Sequence, residues 1–329
     1  MPLASGQLVL SSRWLTTAAL VALFVSVSIV ATPQRASAQA APSQASSAAK
    51  AKSTPPRKSF SSPQEAVTAL YQAALKHDED GMLIILGPDS RDLIFWTDNA
   101  ADRRADTDVF VKNYDQMHRL VKEPDHETTL YVGAENWPLP IPLVEKDGVW
   151  YFDASLGRQE ILYRRIGQNE TNASDVLHGL SEAENEYYDN GPSGSPPEYA
   201  PRFDSDKGTH DGLYWPGGEK NEASPIGQYL AEACYDQPGH KPLHGYYFRI
   251  LMEQGPNAQG GARKYLVNNK MTGGFAFVAF PAEYRSSGVK TFLVSHDGVV
   301  YEKDLGPNTT KIASTMAEYN PDSSWMRVP

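Results

Sequence analysis

The segment that most restricts the fold of this chain lies between residues 158 and 188. It contains no proline and only two glycines, Gly167 and Gly179. Its apolar side chains recur at helical spacing and form a stripe along one side of a helix: Ile161, Leu162, Ile166, Ala173, Val176, Leu177, Leu180 and Tyr187. The pattern predicts one long helix, with a bend at Gly167 as an open alternative. Such a helix buries its stripe only if a second apolar layer covers it.

The residues after this helix predict the covering layer. A Pro/Gly/Ser-rich stretch at 191–197 and a loop-rich region lead to a short predicted helix at 227–234. Apolar runs then predict four strands, at residues 246–252, 274–280, 289–295 and 299–303. Asp297-Gly298 predicts a tight turn between the last two. We therefore predict a domain at residues 158–329 in which a long helix packs on an antiparallel meander.

Residues 60–157 predict another domain, in which helices precede strands. Ser62-Pro63-Gln64-Glu65 is a capping box with proline at the first helical position. A further helix is predicted at residues 108–121. The period then becomes two at residues 128–132, 141–145 and 149–153, with Lys146-Asp147-Gly148 as a hairpin turn. Helices on one face of an antiparallel sheet make an α+β domain, and this order is similar to the cone-shaped NTF2-like fold.

The amino-terminal region has the features of an export signal. No acidic residue precedes Glu65, and an apolar stretch at residues 14–31 suits a signal-peptide core but is short for a bilayer span. Ala36-Ser37-Ala38 and Ala38-Gln39-Ala40 both have the small residues of a cleavage site. We predict a signal peptide at residues 1–40 and a disordered tether at 41–59, with an uncleaved anchor as the alternative. The expected location is periplasmic or secreted.

The charge of the chain limits its partners. The chain has 30 Lys and Arg and 40 Asp and Glu, and residues 1–59 hold six of the basic residues and no acid. The rest therefore has 24 basic and 40 acidic residues, a net charge of −16. Phosphate backbones and anionic lipids repel such a body, so we expect no nucleic acid and no membrane beyond the amino-terminal segment. Cys234 is the single cysteine, which excludes an intramolecular disulfide.

Several strings of residues resemble one bacterial family. They are HGYYFRI at 244–250, MTGGFA at 271–276, DGVVYEKDLGP at 297–307, NWPLPIPL at 136–143 and RRIGQNE at 164–170. Together they resemble an uncharacterised exported family, domain of unknown function 2950, over almost everything after Phe60. The resemblance implies an exported protein and implies no activity.

The second half also resembles the globular heads of type IV pilins and type II secretion pseudopilins. The patterns are Gly-Tyr-x-Phe, Phe-Ala-x-x-Ala-x-Pro, Gly-Val-x-Thr-Phe and Asp-Gly-Val, and in those heads a long helix lies against an antiparallel sheet. No apolar membrane segment directly precedes the helix here, so filament assembly is not expected. The resemblance further implies an acidic Asp/Gly loop that can bind calcium. Residues 188–194 keep few of its carboxylates, so we expect no metal there.

No stretch of the sequence carries a strong catalytic signature. His296-Asp297-Gly298 fits a turn better than a catalytic dyad. His240 and His244 have the spacing of a metal pair, but neighbouring Pro and Gly prevent a regular helix. Residues 255–261 are glycine-rich without the Lys-Ser/Thr of a phosphate loop, and they predict a long hairpin connection. Neither a G-x-S-x-G elbow nor an H-E-x-x-H helix is present. We expect no catalytic residue, no metal and no cofactor.

Two groups of side chains are candidates for a binding site. Four aromatic residues would line a ligand cleft or, alternatively, plug the ends of a core: Trp137, Trp150, Tyr214 and Trp215. Four polar residues share one loop, as a cation or acid/base cluster or as a solvated acidic loop: Asp204, Asp206, His210 and Asp211.

These observations favour an exported, non-enzymatic binding or interaction module, with an envelope protein or a small ligand as partner. One alternative is a cell-wall or polysaccharide hydrolase whose carboxylates only the fold brings together, with Glu283 and Asp304 as candidates near sheet ends. Another is an accessory component of a secretion or pilus system. A pocket with converging polar groups would favour ligand binding or hydrolysis, and its absence would favour interaction by surface.

Overall fold

A computed structural model describes residues 57–95, 97–124, 127–190, 197–216 and 223–329. The predicted signal peptide at 1–40, the predicted tether up to residue 56 and most of the loop considered for calcium lie outside them. The described residues divide into two compact units between Ile161 and Leu162. Both units contain helices and antiparallel strands, so the α+β class is confirmed. None of the described helices combines the length and the apolar character that crossing a membrane requires.

The first unit begins with helices that follow local capping signals. They are α1 (Pro63–Leu75), α2 (Glu79–Leu86), α3 (Arg91–Ile94) and α4 (Ala100–Gln116), with a 3-10 turn at Pro88–Ser90. The Ser62 hydroxyl accepts a hydrogen bond of 3.2 Å from the Glu65 backbone N–H, as the capping box predicts. The Glu65 carboxylate accepts from the backbone N–H of Ser61 at 2.9 Å rather than from that of Ser62. These two hydrogen bonds therefore stabilise the start of α1.

The predicted helix at residues 108–121 is wrong at both ends. Helix α4 begins earlier because the Asn99 side chain caps it, accepting a backbone hydrogen bond of 3.0 Å. It ends before His118–Lys122, which form strand β1. Val121 fits the helical stripe in sequence, yet it pairs with Thr129 of the next strand. Pairing across the sheet outweighs the local helical period.

A five-stranded antiparallel sheet completes the first unit. Its strands are β1, β2 (Thr128–Val132), β3 (Trp137–Pro138), β4 (Leu143–Lys146) and β5 (Val149–Phe152), in the order β1-β2-β4-β5 with β3 beside β2. Asp147 and Gly148 have φ values of 54° and 77°, so the predicted hairpin turn between β4 and β5 is confirmed. Buried side chains of α1 and the sheet form the core: Val67, Leu70, Leu130, Leu143 and Phe152.

Residues assigned to the tether in sequence already touch this unit. The Arg57 guanidinium lies over the Tyr151 ring, 4.5 Å from its centroid. The Lys58 backbone N–H donates to the backbone oxygen of Ile84 at 3.4 Å. Contact with the first unit therefore begins before Phe60.

A helix of 37 residues, α5 (Ala154–Asn190), runs across the division between the units. It begins before the predicted start at residue 158, because the Asp153 carboxylate accepts from the backbone N–H groups of Ser155 and Leu156 at 3.0 and 3.3 Å. It continues through Gly167 and Gly179. The long helix predicted from the stripe is therefore present, one turn longer at its start.

The two glycines of α5 have room for a side chain. A Cβ at Gly167 or Gly179 would meet nothing within 4 Å. We expect Gly167→Ala and Gly179→Ala each to raise the free energy of unfolding by about 0.5–1 kcal/mol, because alanine loses less backbone entropy in a helix. Urea unfolding of the purified protein measures the change.

Gly239→Ala is a control of opposite sign for these two substitutions. Gly239 has equally open surroundings, but its φ is 75°. Alanine there is strained by about 1 kcal/mol, so stability should fall. A loss of stability with Gly167→Ala would contradict the expectation and would show that α5 needs a flexible residue at that position.

The second unit contains the remaining strands. Five form the main sheet, in the order β15-β13-β12-β11-β6: β6 (Tyr246–Leu251), β11 (Ala276–Pro281), β12 (Lys290–Ser295), β13 (Tyr301–Asp304) and β15 (Met326–Arg327). The others form two small sheets: β7 (Glu253–Gln254) with β8 (Arg263–Lys264) and β14 (Glu318–Tyr319), and β9 (Leu266–Val267) with β10 (Lys270–Met271). The four predicted strands agree with β6, β11, β12 and β13 to within two residues at each end.

The core of the second unit surrounds the centre of this sheet. Every residue of β11 is buried, and α7 (Thr309–Ser314) packs against that strand, whereas α6 (Gln228–Glu232) is a short helix before β6. Side chains from α5 and from the sheet share one cluster: Leu177, Leu180, Phe248, Phe277 and Phe292. The Glu170 carboxylate fastens α5 to the start of β12, where it accepts from the backbone N–H groups of Val289 and Lys290 at 2.8 and 3.0 Å. The specific NTF2-like and pilin-like arrangements stay predictions.

Candidate functional site

Two of the four aromatic residues predicted to line a cleft lie in the first unit. Trp137 pairs with Val132 at one end of β2. Trp150 pairs with Glu145 of β4, at the other end of the sheet, and exchanges backbone hydrogen bonds of 2.8 Å with Phe60. The structure therefore does not bring Trp137 and Trp150 together.

The other two aromatic residues lie in the second unit. Tyr214 and Trp215 are half-buried and pack against the core of that unit. The Trp215 ring stacks on His210 with centroids 4.2 Å apart, and the Tyr214 backbone N–H donates to the Phe203 oxygen at 2.7 Å. This packing agrees with the alternative in which aromatic rings close the end of a core. A ligand role for these residues stays a prediction.

Arg202, just before the polar loop at residues 204–211, pairs with two of the three aspartates in that loop. Arg202 lies 2.9 Å from a carboxylate oxygen of Asp206 and 3.6 Å from one of Asp211. Burial acts to raise the pKa of Asp211, but hydrogen bonds from Thr209 and from the Asp206 N–H lower it overall. Among the described residues, no group of three or more His, Cys, Asp or Glu side chains is placed to hold a metal ion.

The side chains of His240 and Cys234 pack against other residues of the second unit. The Nδ1 atom of His240 lies 3.0 Å from the Gln237 backbone oxygen, and its ring contacts Tyr235 and Tyr247. Cys234 is buried, and burial raises the pKa of its thiol to about 11. A thiol with that pKa is not a nucleophile at neutral pH.

The sequence His296-Asp297-Gly298 forms the turn that follows β12, as predicted. Gly298 has a φ of 71°. The Asp297 carboxylate accepts from the Ser295 hydroxyl at 2.9 Å and from the Val299 backbone N–H at 3.0 Å. Asp297 therefore stabilises the turn, and His296 has a different partner.

That partner is Arg263, whose Nη2 lies 2.7 Å from Nε2 of His296. Because a guanidinium only donates, Nε2 holds the lone pair and the ring proton is assigned to Nδ1. Partial burial of the ring, followed by the charge of Arg263, lowers the pKa of His296. The imidazole is therefore neutral and already accepts a hydrogen bond, so it is not free to act as a base.

A buried glutamine orients the other edge of Arg263. Gln254 is 2% exposed, and its Oε1 accepts from Arg263 Nε at 3.2 Å and from the Tyr265 hydroxyl at 2.8 Å. Its Nε2 donates to the backbone oxygens of Gln259 and Gly261 at 2.9 and 2.6 Å. Every hydrogen-bonding position of the amide is used, which fixes the direction of the guanidinium.

Two glycines let the chain before β11 approach this network. A Cβ at Gly273 would lie 2.3 Å from the Lys264 backbone oxygen. Gly274 has a φ of 129°, and a Cβ there would lie 3.0 Å from the Tyr265 ring and 3.3 Å from His296 Nδ1. Only glycine fits at either position. The string MTGGFA thus has a physical role.

Aromatic rings flank the arginine and histidine. The Tyr199 ring meets the edge of Phe275 with centroids 4.9 Å apart, and Phe275 in turn lies 6.4 Å from the His296 ring. Burial raises the pKa of Tyr199, and it raises that of Tyr265 to about 12, so both stay neutral. We name the following group the arginine site: Arg263, its acceptors Gln254 and His296, and the rings of Tyr199, Tyr265 and Phe275.

The arginine site is suited to holding an anion. Arg263 is exposed, and among the described residues no carboxylate forms an ion pair with it. Within the described part of the chain, Nε and one Nη2 hydrogen serve Gln254 and His296, which leaves both N–H groups of Nη1 and one of Nη2 for a ligand. A guanidinium with a fixed direction recognises carboxylate and phosphate oxygens in the plane of its fork.

Two open depressions lie elsewhere on the described surface. One, of about 320 Å³, is lined in the second unit by Arg249, Met252, Glu253, Lys264, Leu266 and Met316. The other, of about 310 Å³, lies in the first unit beside His77, Glu79 and Phe95. Because successive side chains of a strand point to opposite faces, Glu253 and Lys264 point away from Gln254 and Arg263. Neither depression is lined by Arg263, Gln254 or His296.

Sequence reasoning missed the residues that make up the network. It identified the turn at His296 and the connection at 255–261, but not Gln254, Arg263 or Tyr265. The available signal was the pair Gly273-Gly274, since adjacent glycines before a strand indicate a close backbone approach. The glycine pair indicates where another segment approaches the backbone, but it does not identify the residues of that segment.

Comparison with known proteins gives one family. No curated protein matches the chain, and no solved structure does. The likeness to pilin heads therefore stays a prediction. A family model described as "Protein of unknown function (DUF2950)" matches residues 57–328, nearly all of the chain after the predicted tether. The chain belongs to the DUF2950 family.

Proposed function

We propose that this protein is an exported, non-enzymatic binding module that recognises an anionic group of an envelope partner at the arginine site. The observation that supports it is the fixed Arg263 guanidinium, held by the neutral acceptors Gln254 and His296. Such an arrangement binds an oxyanion without chemistry, because the neighbouring imidazole is neutral and already engaged. The acid-free leader with its apolar stretch supports export.

The hydrolase alternative has less support. A glycosidase needs two carboxyl groups facing each other across the substrate, one of them with a raised pKa. Glu283 and Asp304 are both exposed, and the Tyr284 hydroxyl donates to Asp304 at 3.2 Å. Neither of the two depressions named above is lined by Glu283 or Asp304. A role beside a secretion or pilus system remains compatible with binding at a surface, with the partner being a component of that system.

Binding of an acidic peptide tests the proposal. The probe is a fluorescein-labelled peptide of alternating Glu and Gly, measured by fluorescence anisotropy, with a Gln/Gly peptide as the neutral comparison. We expect Arg263→Gln to weaken binding by about tenfold or more, since hydrogen bonds to a charged group contribute about 1.5–3 kcal/mol. Arg263→Lys should recover only part of the affinity, because an ammonium lacks the planar fork.

Arg285→Gln is the matched control for this experiment. Arg285 is exposed in the same unit and lies over the Tyr284 ring, 5.4 Å from its centroid, without a hydrogen-bonded fork. Arg285→Gln removes the same charge as Arg263→Gln, but it should change the affinity for the Glu/Gly peptide by less than about twofold. Equal losses with Arg263→Gln and Arg285→Gln would mean that general electrostatics, and not the arginine site, holds the peptide.

Export has a separate test in the host bacterium. We expect the full chain to reach the periplasm or the medium with a new amino terminus after residue 38 or 40, and a chain lacking residues 1–40 to stay in the cytoplasm. Cell fractionation and amino-terminal sequencing measure both. An intact amino terminus in the membrane fraction would support the uncleaved anchor instead.

A further inference from the structure

A fully buried carboxyl group lies next to the segment that carries Tyr199. Glu184 of α5 is 0% exposed. Its Oε2 accepts a hydrogen bond of 2.8 Å from the Ala200 backbone N–H. Its Oε1 has no hydrogen-bond partner among the described residues, and no described cation pairs with it.

This environment favours the protonated acid. Removing a carboxylate from water costs several kcal/mol, and no positive charge on a described residue offsets that cost. Burial therefore raises the pKa of Glu184 well above its ordinary value, and the hydrogen bond from Ala200 opposes the rise only in part. We expect Glu184 to be neutral when the protein is folded at neutral pH.

The hydrogen bond to Glu184 fastens residues 197–203, which we name the Tyr199 segment. The Tyr199 backbone N–H donates to the Met271 oxygen at 2.9 Å, and the Tyr199 ring lies against Phe275 of the arginine site. The Ala200 N–H, directly after it, is held by the carboxyl group. The position of the Tyr199 ring therefore depends on a side chain that tolerates burial only with its proton.

We propose that Glu184 is a proton-operated latch that keeps the Tyr199 segment closed beside Arg263 and releases it when the carboxyl group ionises. Ionisation leaves a buried charge without a cation, and detaching the segment gives that charge access to water. Release removes the Tyr199 ring from the arginine site. The effect on binding rests on the proposed function, whereas the latch itself does not.

Several titratable groups lie around Glu184, and two of them are tyrosines. Tyr187 of α5 and Tyr199 of the segment are the groups whose pKa responds to the charge of Glu184. Burial is the first cause that raises the pKa of each, to about 12 for Tyr187. Further charged or titratable groups surround these two rings: Tyr188, Asp189, Glu198, Asp211 and Arg263. The tyrosines stay neutral over the range in which a carboxyl group titrates, and Glu184 is the one fully buried carboxyl group among these residues.

Hydrogen exchange at Ala200 tests the latch without any ligand. Protection factors, which remove the intrinsic pH dependence of exchange, are measured for the Tyr199 segment between about pH 5 and about pH 9. In the wild type we expect protection to fall by about tenfold per pH unit from the ordinary carboxyl pKa of 4.5 up to the folded pKa of Glu184, and to be constant above it. Glu184→Gln keeps the hydrogen bond without a titrating group, so its protection should not vary with pH.

Glu182→Gln is the matched control. Glu182 is exposed on the same helix, so this variant should follow the wild type. Identical pH profiles for the wild type and Glu184→Gln would overturn the latch. If Glu184→Gln fails to fold, the wild type decides alone: protection at Ala200 that does not fall across the whole range overturns the proposal.

Peptide binding separates the latch from the function of the site. With the Glu/Gly peptide, the wild type should lose affinity over the same pH range in which Ala200 loses protection, and Glu184→Gln should not. Loss of protection together with binding that never depends on Arg263 would retain the latch and reject the proposed function. Arg263-dependent binding with no pH-dependent protection would reject the latch and retain the function.

Discussion

Replacing Glu184 by glutamine should stabilise the protein by an amount that grows as the pH rises from the unfolded to the folded pKa of this carboxyl group. Burial raises the folded-state pKa of Glu184 above that of the unfolded chain, so the folded state binds the proton more tightly. The stability linked to this proton is fully present below the unfolded pKa of about 4.5 and is lost as the pH rises through the folded pKa. Within that window the loss is about 1.4 kcal/mol per pH unit. Glutamine has no proton to lose, so the slope disappears.

Urea unfolding at a series of pH values measures this difference. The free energies of unfolding of the wild type and Glu184→Gln should nearly coincide in acid and diverge as the pH rises. The free energy of unfolding of Glu182→Gln should follow that of the wild type at every pH. Two parallel curves for the wild type and Glu184→Gln would mean that the carboxyl group is ionised in the folded protein.

At low pH other groups should destabilise both variants alike. A hydrogen bond from Arg158 is the main cause that lowers the pKa of Asp92, and hydrogen bonds from Ser155 and Leu156 outweigh burial in lowering that of Asp153. Groups with a depressed folded pKa contribute stability that is lost as the pH falls through that pKa. Acid unfolding should therefore be unchanged by Glu184→Gln.

Phe277→Ala should lower the free energy of unfolding by about 3–5 kcal/mol. Phe277 lies in β11 with 0% exposure, and its ring lies 5.8 Å from that of Phe203 and 5.9 Å from that of Phe275. Truncation leaves a cavity between the sheet and the Tyr199 segment, because neighbours fixed by backbone pairing cannot collapse into it. Thermal or urea unfolding of the purified variant measures the loss.

Tyr229→Ala provides the comparison for this truncation. Tyr229 is also aromatic and lies in α6 of the same unit, but it is 79% exposed. Its removal should change stability by no more than about 0.5 kcal/mol. A loss of similar size for both variants would contradict the assignment of Phe277 to the core.

Much of the local structure followed from residues close together in the chain. The Ser62 cap, the Asp147-Gly148 turn and the turn at Gly298 depend on backbone angles and hydrogen bonds within a few residues, and all are found as predicted. The strand ends agree for the same reason. The boundary between α4 and β1 did not follow, because the pairing of Val121 with Thr129 in the next strand outweighs the helical spacing of Val121.

The arginine site depended on contacts between distant positions. Arg263 and His296 are 33 positions apart, and the glutamine that orients the arginine belongs to a third stretch of chain. None of these side chains stands out in sequence, because a surface arginine and a buried glutamine look alike until the backbone places them. Strand pairing likewise places Trp137 and Trp150 at opposite ends of one sheet, and the ligand cleft predicted from four aromatic residues stays a prediction.

The sequence by itself determined the family, the α+β class, the long helix and the turns, because each depends on strings or periods that neighbouring residues set. Only the tertiary structure decided that Glu184 is enclosed and that Arg263 faces two neutral acceptors. Glu184 lies among exposed Glu182 and Glu186 on the same helix, and the sequence does not distinguish the three. Burial is a property of what packs against a residue, and for Glu184 that partner is Ala200, sixteen positions further along the chain.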